Sequence, residues 1–176
     1  MDSTARWVAP VVAVACVLAG CQAFSSVRVE YPGTAVGSVI PDMGLHESMT
    51  FGDITMCLDE SGSEAAQIDS VEVPEGSTLE ITEFSVADEG VGLGNDRITL
   101  IDAGFDPDER TLTKPCGGKE SGRLIVEASR SANETASADE LIVHYSAADG
   151  GSERTLRIPY AITLCAPADE ETEHCT

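Results

Sequence analysis

Three side chains in Met43-Gly44-Leu45-His46-Glu47-Ser48-Met49 could do metal chemistry, because two thioethers and an imidazole suit a soft ion such as Cu(I). Methionine also fills irregular gaps at the margin of a core, and that plainer reading of Met43 and Met49 is preferred. Pro41, Gly44 and Gly52 bracket the stretch, so its backbone is expected to be too loose to preorganise three ligands. Asp102, Asp106, Asp108 and Glu109 offer the hard oxygen donors that Ca²⁺ takes, but they miss the spacing of a calcium loop. An acidic turn in an acidic chain needs no metal. Gly90-Val91-Gly92-Leu93-Gly94 has the glycine density of a phosphate-cradling loop. Such loops feed a helix N-terminus, whereas a strand pattern over 97–103 follows, so the run reads as a turn.

Catalytic chemistry finds little to work with. The histidines are His46, His144 and His174, and His144 falls on the face of its run opposite Val143 and Tyr145. A general base needs a nucleophile within hydrogen-bond reach, and neither G-x-S-x-G nor H-E-x-x-H occurs. No catalytic residue and no cofactor is expected. The chain carries 31 Asp and Glu against 10 Lys and Arg, a formal charge of −21. A surface this acidic repels nucleic acid, which is excluded as a partner, and its plainest use is solubility. Flat aromatic platforms for sugars are scarce, since the only tryptophan is Trp7 and the tyrosines are Tyr31, Tyr145 and Tyr160.

The first two dozen residues have an export layout. Residues 1–6 are short and polar, 7–18 are apolar except for Pro10, and Ala19 and Gly20 precede Cys21. The run is shorter than the roughly 20 apolar residues a spanning helix needs. Leu18-Ala19-Gly20-Cys21 resembles the lipobox of bacterial lipoproteins, in which lipid is attached to the cysteine and cleavage leaves it as the new N-terminus. The resemblance implies a signal peptide over 1–20, lipidation of Cys21, a tether over 21–26 and one folded domain over 27–176. It also implies a partner in the membrane itself, reached by two acyl chains from its extracytoplasmic face.

Cys16 would be lost with the signal, leaving Cys57, Cys116, Cys165 and Cys175 besides the anchor. An even number in an exported domain reads as two disulfides with three possible connectivities, and no C-x-x-C pair favours a metal. Cys57–Cys116 with Cys165–Cys175 is preferred, since closing the short C-terminal loop costs little entropy.

The elements that must position these residues read as strands. Alternating or apolar runs occur at 27–31, 50–58, 67–73, 78–87, 97–103, 122–129, 140–147 and 154–164. A slip in the alternation within 78–87 predicts a bulge. The run 34–48 is punctuated by Gly and Pro and reads as irregular. In 154–164, Leu156, Ile158, Tyr160, Ile162 and Leu164 share one face, and Pro159 confines the strand to an edge or points its missing N–H out of the ladder. Ala147-Ala148-Asp149-Gly150-Gly151-Ser152 reads as a hairpin turn. No helical period follows residue 26. Seven or eight strands predict an all-β antiparallel sandwich, immunoglobulin-like in broad architecture but without the core tryptophan of that family.

The expected function is a lipid-anchored binding or scaffolding module of the cell envelope with an envelope protein as partner, and not an enzyme. The alternative is an extracytoplasmic lipoprotein handling copper through Met43, His46 and Met49, or calcium through the acidic loops.

Overall fold

The computed structural model describes residues 27–59, 65–87, 95–169 and Cys175, the side chain of Asp53 apart. The 1–20 segment, Cys21 with its tether, the 90–94 glycine run and His174 lie outside the described residues. Among the described residues twelve strands follow in order: β1 Val29–Glu30, β2 Val36–Ile40, β3 Met49–Leu58, β4 Ala66–Glu72, β5 Leu79–Ala87, β6 Asn95–Asp96, β7 Thr111–Leu112, β8 Gly122–Arg130, β9 Ala136–Ala138, β10 Leu141–Ala147, β11 Arg154–Ile158 and β12 Tyr160–Leu164. A 3-10 turn, Pro167–Asp169, comes after them.

The fold is all-β, a sandwich of sheets whose strands pair antiparallel except β2 with β12. One sheet runs β1-β3-β8-β5 with β6 also on β3, a second runs β11-β10-β4-β7, and a third runs β2-β12-β9. Their inner faces meet in one apolar cluster that includes Phe51, Ile54, Ile68, Leu124, Val143 and Ile162. Strict alternation of buried and half-buried residues along β10 and β12 shows how a period-two pattern places one face on that core. β8 is the exception, buried from Leu124 through Arg130. Leu124, Val126 and Ala128 join the cluster. Ile125, Glu127 and Ser129 are buried outside it, on the face crossed by the chain between β6 and β7. That chain is tied down by Thr50 Oγ1 donating to the Ile98 carbonyl (2.7 Å), Leu100 N–H to Glu127 Oε2 (2.7 Å) and Ser85 Oγ to the Asp106 carbonyl (2.8 Å).

Several elements depart from the sequence expectation. Residues 97–103 are not a strand but a helical turn, with Ala103 N–H bonded to the Thr99 carbonyl and Phe105 N–H to that of Leu100. The Thr99 hydroxyl accepts the Asp102 N–H at 3.1 Å, the local side-chain bond that competes with a ladder, and Gly104 ends the turn at φ 91°. The 34–48 run is not wholly irregular. It contains β2, which pairs in parallel with β12 from Val36 opposite Tyr160 to Ile40 opposite Leu164. Gly37 lets the two strands approach closely there, since a Cβ would sit a tight 3.1 Å from that of Ala161. The 154–164 run is two strands, because neither ladder can continue through a proline that lacks a donor. β11 is the edge beside β10, and at Pro159 the chain crosses to the β12 sheet, where the proline carbonyl accepts the Val36 N–H at 3.3 Å.

Other expectations hold. β5 slips register between Ile81 and Glu83, the expected bulge. β10 and β11 form a hairpin in which Gly150, at φ 100°, donates to the Ala147 carbonyl. The disulfides are Cys57–Cys116 and Cys165–Cys175. The first fastens the segment before β8 to the end of β3, where Leu58 N–H bonds the Lys114 carbonyl and Cys116 N–H the Leu58 carbonyl, both at 2.8 Å.

Candidate functional site

The loop between β2 and β3 carries the candidate soft-metal trio, and the fold divides it. Met43 and Met49 are buried in the apolar cluster, while His46 is exposed with its backbone at φ 57°. The thioethers therefore act as core packing, as their gap-filling chemistry suggests. The loop is not loose. Arg130, 2% exposed, spreads its guanidinium over backbone carbonyls: Nε and Nη2 donate to Met43 (3.1 and 2.5 Å), Nη1 to Ala132 and Glu134 (3.2 and 2.7 Å). Its own carbonyl accepts the His46 N–H at 3.1 Å, and Met43 N–H bonds the Cys165 carbonyl at 2.8 Å. Glu47 closes the turn by accepting the Gly44 N–H at 2.7 Å. Glu127, 7% exposed, takes the Ser48 hydroxyl on one oxygen (2.5 Å) and the Leu100 N–H on the other. Sequence reasoning missed both Arg130 and Glu127. Nothing in the local pattern marks them, because their partners come from distant loops.

Of the acidic candidates, only Asp106 has its carboxylate bonded to backbone here. Asp106 Oδ1 accepts the Asp108 N–H at 2.9 Å, its carbonyl accepts the Glu109 N–H at 3.0 Å, and Val86 N–H bonds the Glu109 carbonyl at 2.7 Å. This stitches the turn to β5 and leaves Asp102, Asp108 and Glu109 exposed. Among the described residues, no group of three or more His, Cys, Asp or Glu side chains is placed to hold a metal ion. His144, half-buried on the outer face of β10, has Nδ1 3.3 Å from Glu153 and Nε2 4.0 Å from Glu72. Both ring nitrogens face carboxylates, an arrangement that offers no nucleophile for a base to activate.

The open surfaces lie elsewhere. Two grooves adjoin across Tyr31. The larger, about 540 Å³, is bordered by Arg28, Glu30, Tyr145, Leu156 and Arg157. The smaller, about 320 Å³, runs along β2 with Val36, Gly37 and Ser38 on one wall and Thr55 and Tyr160 beyond. Tyr31 borders both grooves, whereas Tyr145 and Tyr160 are core residues that each edge only one of them. The Tyr31 hydroxyl donates to the Thr34 carbonyl (2.6 Å), and that of Tyr160 shares a hydrogen bond with Ser38 Oγ (3.3 Å). Asn95 Nδ2 also donates to Ser38 Oγ at 2.7 Å, while its buried Oδ1 has no partner. The two arginines are engaged by neighbouring carboxylates, Arg28 by Glu30 at 3.5 Å and Arg157 by Glu140. A third groove, about 450 Å³, lies under the Pro74–Ser77 turn beside Ser137 and Asp139. What the smaller groove exposes is the half-buried Tyr31 and the Val36–Ser38 stretch of β2. No family model matches the chain, and no curated protein matches it.

Proposed function

We propose that the chain is a lipid-anchored binding or scaffolding module of the cell envelope, held to the membrane through lipid on Cys21 and engaging an envelope protein, with no chemistry of its own. The observation that carries this reading is a sandwich closed by two disulfides directly behind Leu18-Ala19-Gly20-Cys21. Disulfides persist in oxidising compartments, and a lipobox-like cysteine supplies the anchor there. Asp106, Glu127 and Arg130 are committed to turns and loops, which supports a structural use of these polar side chains. Among the described residues the fold leaves grooves on either side of Tyr31 and a third under the Pro74–Ser77 turn.

Replacing Cys21 with Ser tests the anchor. The wild-type chain is expected in the detergent-extracted membrane fraction, and Cys21→Ser as unprocessed precursor or released protein. A variant that fractionates and migrates like wild type would overturn the reading.

A further inference from the structure

We infer that the edge of β2 that no described strand pairs is a docking strand that takes up an extended, lysine- or arginine-flanked segment of a partner protein by strand addition. The β12 ladder fixes which backbone groups are available. Val36 N–H bonds the Pro159 carbonyl and Cys165 N–H bonds the Ile40 carbonyl, so residues 36, 38 and 40 turn their peptide groups toward β12. Gly37 and Val39 turn theirs the other way, and among the described residues these have no partner.

Other edges of the fold are protected against such pairing. β5 presents Glu80 and Glu83, β11 presents Arg154 and Arg157, and β1, β6, β7 and β9 have only two or three residues each. β2 has five residues, Val-Gly-Ser-Val-Ile, with no charge and no proline, and leaves Val36 46% and Val39 51% exposed. The groove of about 320 Å³ runs along this edge, with Tyr31 at its end and Thr55 of β3 across from it. On that side β3 is covered by β6 at Thr50 and Phe51 and by β1 at Cys57 and Leu58, so the stretch carrying Thr55 lies between the two. An added strand would gain main-chain hydrogen bonds from β2 and side-chain contact from Tyr31, the mode of peptide recognition that exposed edges support.

Charge selects the occupant. A second copy would bring another −21 to the interface, whereas a cationic segment is drawn by the net charge of the chain; the groove itself is lined by uncharged residues only. The inference rests on the binding-module reading and names its surface, but it does not depend on the anchor.

The test uses the full chain in detergent and a synthetic peptide of alternating valine and threonine with lysine at both ends. Binding is read by fluorescence anisotropy and its place by hydrogen exchange. Val39→Pro deletes an outward N–H without touching the β12 ladder, and Val39→Lys adds an edge charge. Wild type is expected to bind, with slowed exchange over 36–40, and each variant to bind at least about tenfold more weakly. If Val39→Pro fails to fold, Val39→Lys decides. Equal binding by a folded variant, protection at β5 or β11 instead, equal affinity for the same peptide with glutamate ends, no binding, or self-association through β2 would each overturn the inference. The Cys21→Ser fractionation reads the anchor separately, so either idea can fail while the other stands.

Discussion

Arg130 shows what a single residue does in this fold. Its guanidinium joins the loop before β3 to the loop after β8 through carbonyls alone, with no carboxylate among its described partners. Arg130→Met removes the donors and leaves the Met43, Ala132 and Glu134 carbonyls short of partners, so it should destabilise by about 2–5 kcal/mol. Arg130→Lys should recover little, because an ammonium cannot span that fan of acceptors. Urea unfolding measures both, and a loss under about 0.5 kcal/mol for Arg130→Met would contradict this role. Met43→Leu with Met49→Leu should cost less than about 1.5 kcal/mol per site in the same measurement, since volume and apolarity are kept. The methionines were legible in the sequence as core fillers. Arg130 was not, because it falls just past the 122–129 run and its Met43 acceptor lies far away in the chain. Glu127 alternates with Val126 and Ala128 as a solvent-facing residue would, and only the 95–110 segment crossing that face makes it buried.

At the scale of elements, legibility followed the core. β10, β12 and the bulged β5 each lay one face on the apolar cluster, so their period-two pattern carries through to the structure. β2 exposes its valines and finds its parallel partner at the other end of the domain, so no alternation marks it. β7 and β9 are too short to carry a pattern. Residues 97–103 mimic a strand through Ile98 and Leu100, yet only Leu100 is buried and Ile101 is 68% exposed. The junction of β7 and β8 offers an element-scale test. A Cβ on Gly122 would lie 2.1 Å from Leu112 Cδ1, and Leu112 is fully buried. Gly122→Ala should therefore destabilise by about 1–3 kcal/mol through forced repacking. Thermal unfolding checks it, and an unchanged or raised midpoint would contradict the packing described.

Over the whole molecule, two covalent links close loops of unequal length, with sequence separations of 59 for Cys57–Cys116 and 10 for Cys165–Cys175. Loop-closure entropy predicts that replacing the first pair with alanine costs about 4 kcal/mol and the second about 3 kcal/mol. Denaturant midpoints of the two paired variants give the order, and a reversed order would contradict the entropic account. The pairing was legible because the short loop is the cheaper to close; how the sheets share one core was not, since the crossover at Pro159 depends on tertiary pairing. The central claim joins an oxidised sandwich to a lipid on Cys21, and one measurement addresses both halves. It is the intact mass of the chain extracted from native membranes, taken before and after alkylation in denaturant without reductant. The account predicts a chain beginning at Cys21, heavier by a diacylglyceryl group, with no alkylation at Cys57, Cys116, Cys165 or Cys175. A chain beginning at Met1, a mass without lipid, or an alkyl group on any of those four cysteines would contradict it.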